Sequence, residues 1–222
     1  KDIFIDVLDA RQKIMILANS AHPDISALRN SITSNKNYQV EVVYAGAPNI
    51  NVSEYDMLIL HQLPSRNNDI SGILNTINTN KIPTLFIVGA QSGLNRLNKA
   101  QSIVKIRPGG ANLNEVQAQI AQEFSLFTLS EELRQSLPNF APLQAPFGEF
   151  DVSGNGQTIL YQRIGKIDTR YPLLVLGEQN NIRQGVLCAE GIWQWRLFDF
   201  LQRENHDIVN ELLGKTIQYL SL

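Results

Sequence analysis

The stretch TLFIVGAQSGLN, Thr84 to Asn95, runs an apolar strand into a corner flanked by Gly89 and Gly93 and then into a helix. Corners written GxSxG or GxCxG hold a serine or cysteine nucleophile on a tight strand-to-helix turn. Here Gln91 stands at the tip, and an amide can neither ionise nor attack. Ser92 sits one position late, flanked by Ala90 and Leu94 where the turn wants glycine. The two glycines are accounted for by a tight turn with close helix packing, and Gln91 is a candidate for hydrogen bonding in a ligand cleft.

Working outward, the chain before the corner alternates strand and helix, which predicts a parallel sheet covered on both faces. KIMILAN (13–19) is a continuous apolar run of the kind that a doubly buried strand requires. A helix follows from about Pro23 with Ile25, Leu28 and Ile32 on one side. YQVEVVYAG and YDMLILHQLP give the second and third strands, and DISGILNTI a helix with Asp69 as its expected N-cap. The corner thus falls at the carboxyl end of the fourth strand, where open α/β sheets bind ligands.

Beyond the corner the rhythm changes. Residues 137–150 hold three prolines and a glycine and read as a surface loop. QTILYQRI, YPLLVLGE and QGVLCAEG read as three short strands extending the sheet with antiparallel neighbours. EGIWQWRLFDF reads as a strand with Trp193 and Trp195 sharing one face and Arg196 on the other, a candidate interface. The final segment places Val209, Leu212, Leu213, Thr216 and Leu220 on one helical face that docks on the sheet.

The composition excludes several functions. The 222 residues carry a formal net charge of −2 and 18% charged residues, which gives no basic surface for nucleic acid. No apolar run reaches a membrane span of about 20 residues, so no direct membrane insertion by this segment is expected. The single cysteine, Cys188, excludes an internal disulfide and reads as a buried, inert thiol. KDIFIDVLD at the start alternates Ile3, Ile5 and Val7 like a strand, and residues 1–12 are expected to lead in from an upstream domain. Residues 13–222 are expected to form one α/β domain.

NSAHPDIS (19–26) is similar to the AHPDD start of zinc-dependent sugar and lipid deacetylases, but Ile25 replaces the second aspartate. The other histidines, His61 and His206, supply no HxxH. His22, Pro23 and Asp24 equally make an ordinary helix start, with proline in the first turn and a carboxylate near the positive end of the dipole. The topology puts His22, His61 and Gln91 on three strand ends of one sheet, a candidate binding cleft.

Together, VGAQSG, LILHQLP and the late strand ending in CAEG resemble the class I glutamine amidotransferase-like superfamily. That resemblance implies a flavodoxin-like three-layer sandwich with a mostly parallel sheet and antiparallel additions in the second half. The superfamily's cysteine stands where Gln91 is, and its histidine and glutamate follow a late strand where only Glu190 is found here. A degenerate, noncatalytic domain without cofactor or metal is implied. DVLDARQKIMILANSAHPDISALR, EGIWQWRLFDF and NELLGKTIQYL look like the amidotransferase-like domain of uncharacterised bacterial membrane-anchored proteins, some with von Willebrand factor A domains. This implies an envelope location, on the periplasmic side of the inner membrane, with other domains of the parent chain or envelope proteins as partners. The alternative is a hydrolase using Ser92 or a metal held by His22, Asp24 and His61.

Overall fold

The computed structural model describes residues 11–222; residues 1–10 of the expected 1–12 lead-in lie outside the described residues, and Gln12 already belongs to the first strand of the sheet. Four strands precede or form the corner: β1 (Gln12–Ala18), β2 (Tyr38–Tyr44), β3 (Met57–His61) and β4 (Thr84–Ile87). Helices α1 (Pro23–Thr33), α2 (Ser71–Asn80) and α3 (Leu94–Ala100) follow β1, β3 and β4 as expected. Asp69 works one residue before the cap position: its Oδ1 accepts from the Ser71 N–H at 3.0 Å.

The second half adds β5 (Val104–Ile120), α4 (Glu131–Ser136), β6 (Leu143–Val152), β7 (Gly156–Ile164), β8 (Ile167–Gln179) and β9 (Ile182–Leu187). Helices α5 (Ile192–Arg203) and α6 (Asp207–Ser221) complete the chain. The nine strands form one sheet in the order β2-β1-β3-β4-β9-β8-β7-β5-β6. The first four neighbouring pairs are parallel and the last four antiparallel. Because the antiparallel ladders are longer, the sheet is mostly antiparallel, and the expectation of a mostly parallel sheet is corrected.

Two segments differ from the reading of the sequence, and the first of them adds to the antiparallel ladders. Residues 143–152 form strand β6 instead of a surface loop. β6 is the outermost strand, with Pro146 opposite Leu113 and Gly148 opposite Pro108. An edge strand can take a proline, because the missing N–H need not serve a ladder. Its partner β5 spans two neighbours, β6 up to Val116 and β7 from Gln117 onward, across a register shift between Pro108 and Leu113.

The other misreading is EGIWQWRLFDF, which is a helix. Gly191 at φ +116° turns the chain out of the sheet in a conformation that favours glycine. Ile192, Trp195 and Asp199 then recur at spacings of three and four on the buried side. Trp195 is 2% exposed and donates its indole N–H to the Ala141 carbonyl at 2.9 Å, whereas Trp193 is 38% exposed. The two tryptophans therefore do not share a face. Arg196 is spent inside the fold, donating to Ser31 Oγ at 2.6 Å and Asn210 Oδ1 at 2.9 Å, which ties α5 to α1 and α6.

Helices cover both faces of the parallel half. On one side Ile14, Ile16, Met57, Ile59, Leu85 and Ile87 meet α1, α5 and α6. On the other, Met15, Leu17, Leu58, Leu60, Phe86 and Val88 meet α2 and α3. This is why β1, β3 and β4 read as unbroken apolar runs. The expected face of α6 is buried in full, from Val209 to Leu220. Cys188 lies just past β9, wholly buried, and burial pushes its thiol pKa up. Among the described residues no helix is long and apolar enough to cross a membrane.

Candidate functional site

The carboxyl ends of β1, β3, β4 and β9 are neighbours, and the loops leaving them build one polar patch. At the corner, Ser92 N–H donates to Gly89 O at 3.1 Å and Gly89 N–H donates to Ser92 Oγ at 3.0 Å. The Ser92 hydroxyl is thus folded into the turn, with the residue only 5% exposed. Gly93 N–H donates to Pro64 O and Arg66 N–H to Gln91 O, locking the corner against the loop after β3.

Gln91 projects from this frame. Its backbone N–H donates to Gln62 Oε1 at 2.7 Å, and its side-chain Oε1 accepts from Ser20 Oγ at 2.8 Å and from Asn19 Nδ2. Asn19 is itself held by Asn68, whose amide donates at 2.7 Å. The amide oxygen of Gln91 is therefore committed, which leaves its exposed NH2 as the group that a ligand would meet.

Gln62 stands out in the structure and not in the sequence. It sits at φ +56°, 3% exposed, and its amide bridges the corner to the late strand: Oε1 takes the Gln91 N–H while Nε2 donates to Glu190 Oε2. Glu190 Oε2 also accepts the Ala90 N–H at 3.3 Å. The glycine at 89 follows from this packing, since a Cβ there would lie 2.0 Å from Glu190 Oε2 and 2.6 Å from Gln62 Cδ. In sequence Glu190 is notable only for lacking a histidine nearby. In space His22 supplies one, its Nε2 standing 3.9 Å from Glu190 Oε2.

His22 caps α1, its Nδ1 accepting from the Asp24 N–H at 3.1 Å. Its ring lies 4.9 Å from that of His61, the last residue of β3. Asp24 is fully buried between them: Oδ2 lies 3.5 Å from His61 Nε2 and 3.6 Å from His22 Nδ1. Oδ2 also accepts from Gly191 N–H at 2.8 Å, and Oδ1 from Trp193 N–H at 3.0 Å, so one carboxylate joins the start of α1 to the start of α5. Burial alone would raise the pKa of Asp24. The His61 hydrogen bond and the Gly191 and Trp193 donors outweigh it and hold the carboxyl below its ordinary value.

The expected trio is therefore brought together in part. His22 and His61 meet directly, and Gln91 reaches the loop of His22 through Asn19 and Ser20. Trp193 stays at the surface with Leu197, Phe200 and Leu201 along the outer side of α5, apart from the buried Trp195 and the internally bonded Arg196.

No protein-family profile and no curated relative matches this chain. Solved structures do match in fold. The structure of Agd3, titled a novel carbohydrate deacetylase, is 12% identical, covers 92% of this chain and 32% of its own, and has a TM-score of 0.52. The α-L-fucosidase isoenzyme 2 from Paenibacillus thiaminolyticus is 10% identical with a TM-score of 0.56, over 94% of this chain and 33% of that one. A putative GMP synthase component from Thermoplasma acidophilum is 13% identical over 94% and 96% of the two chains, with a TM-score of 0.45. The chain spans about a third of the length of the first two. At such identities the likeness to the first two shows a shared α/β fold and carries nothing of the activities in those names.

Proposed function

We propose that this chain is a noncatalytic binding module on an amidotransferase-like, flavodoxin-like scaffold. In support, the parallel strands β2-β1-β3-β4-β9 follow the doubly wound order 2-1-3-4-5, with the corner at a central strand's carboxyl end. The observation that carries the reading is Gln91: an amide stands where a nucleophile would, and Asn19, Ser20 and Gln62 are spent on orienting it. Residues so arranged hold a partner in register and do no covalent chemistry. A hydrolase built on Ser92 is the weaker reading, because its hydroxyl is buried in the turn that it stabilises.

The occupant is a neighbouring surface, another domain of a larger membrane-anchored bacterial protein or an envelope protein, on the periplasmic side. The outer face of α5 supports this, with Trp193, Leu197, Phe200 and Leu201 exposed within three turns. The match to a third of two larger proteins agrees with a fold used as one module among others. The test is site-specific photocrosslinking in cells carrying the parent protein, with the probe at Leu201 and, as control, at exposed Lys36. Discrete adducts from Leu201 and none from Lys36 are expected. Equal labelling, or none, sinks the scaffolding role.

A further inference from the structure

We infer that His22, Asp24 and His61 form a binding site for one divalent transition-metal ion of the zinc class, whatever the polar patch beside them binds. Three potential ligand atoms, one from each residue, lie within 4.8 Å of one another. The spacings suit an ion better than they suit hydrogen bonds. His61 Nε2 and His22 Nδ1 stand 3.5 and 3.6 Å from Asp24 Oδ2, whereas a charge-assisted N–H···O contact closes to about 2.7–2.9 Å. Ligand bonds of about 2.0–2.2 Å around a tetrahedral ion put neighbouring ligand atoms about 3.3–3.5 Å apart, which the two spacings to Asp24 match, while the two histidine nitrogens, within 4.8 Å of each other, close up as the ion binds.

The surroundings fit the same chemistry. Two imidazoles and one carboxylate favour zinc or cobalt over magnesium or calcium, which prefer all-oxygen shells. With an ion on Nδ1, the other ring nitrogen of His22 stands 3.9 Å from Glu190 Oε2, a charge contact longer than a hydrogen bond. Asp24 is oriented by two backbone donors from the start of α5. His61 is 1% exposed and His22 22%, so an ion enters on the His22 side and a fourth position faces outward. Binding exchanges the Asp24 N–H on His22 Nδ1 for the metal, at a cost of about one hydrogen bond.

The three histidines give the experiment an internal control, because His206 sits apart at the start of α6, its Nδ1 against the Arg196 carbonyl. Zn(II) is titrated into the whole 15N-labelled chain while the imidazole nitrogens are followed by long-range 1H–15N correlation. One equivalent is expected to move His22 and His61 and leave His206 in place. His22→Asn retains an N-cap acceptor and removes the ligand. It should weaken Zn(II) binding at least about 100-fold while leaving the urea midpoint in chelator unchanged. The inference is overturned if His22 and His61 do not respond to about a tenfold excess of Zn(II), or if all three histidines shift alike. Wild-type affinity in His22→Asn overturns it as well, and should that variant not fold, the wild-type spectra decide alone.

Discussion

Asp24→Ala is the perturbation that tests how this fold is tied together. The carboxylate sits 167 and 169 residues from Gly191 and Trp193 and accepts both of their N–H groups, at 2.8 and 3.0 Å, from full burial. Removing it orphans two donors at the start of α5 and takes away the carboxylate that stands 3.5 Å from His61 Nε2. An orphaned buried donor costs about 1–3 kcal/mol. Trp193 is partly exposed, so water can reach its N–H and that share falls at the low end, while buried Gly191 carries the high end. The sum is about 3–4 kcal/mol, within the range of about 3–5 kcal/mol for breaking a buried charged contact. The assay is urea unfolding in chelator, which keeps any metal effect out of the comparison. With an m-value of about 3 kcal/mol/M, the midpoint should fall by about 1 M. Asp24→Asn, which keeps one acceptor oxygen, should lose roughly half as much. A loss below about 1 kcal/mol for Asp24→Ala would refute the reasoning, since it would mean that both backbone donors find other partners.

Three further outcomes are expected. Gln91→Cys places a thiol beside the neutral Asn19 and Ser20, with the Glu190 carboxylate on the adjacent Ala90 N–H; its alkylation profile should show a pKa at or above about 8.5, with no glutamine hydrolysis. An apparent pKa below about 7 would show that the His22–Glu190 pair activates position 91. Gly89→Ala drives a methyl into Glu190 Oε2 and Gln62, so it should cost about 1–3 kcal/mol in thermal unfolding, part of it relieved in the Gly89→Ala/Glu190→Ala double variant; strictly additive losses would deny that contact. Tyr55, with its hydroxyl on Glu41, has its pKa pushed up to about 12 by burial first and then by that carboxylate. Its folded pKa exceeds the unfolded value of about 10, so its contribution is complete below about pH 10 and is lost as pH rises toward 12. The stability gap between wild type and Tyr55→Phe should therefore close over that interval, and a gap constant from about pH 9 to 12 would contradict the assignment.

What the sequence made legible follows from where each segment is buried. β1, β3 and β4 announce themselves because helices cover both sheet faces there, so that all but their end positions are apolar. β5 and β6 do not, because they form the outer ribbon, where prolines and glycines are tolerated and alternation is broken. The WxW of α5 fits a strand's period of two, while the helix's three-and-four spacing is carried by Ile192, Trp195 and Asp199. Local spacing sees a helix cap in His22 and Asp24; it cannot see that the cap also closes on residues 191 and 193.

The glycines of the corner sharpen this point. From sequence, Gly89 and Gly93 are explained by a tight turn with close helix packing, and of the two only the close packing is found: Gly93 has φ −88° and neither is among the described glycines with positive φ. Conformation therefore does not demand glycine at either place. Space does: a Cβ on Gly93 would stand 2.9 Å from the Ser65 carbonyl oxygen, and one on Gly89 would overlap Glu190 and Gln62. The same motif letters thus record contacts between the loops after β3, β4 and β9, made across 29 and 128 residues of chain by Gln62 alone. An elbow held in this way keeps its shape for reasons independent of a nucleophile. That is why Gln91 can occupy the tip without the turn unravelling, and why the turn's persistence is no evidence of catalysis.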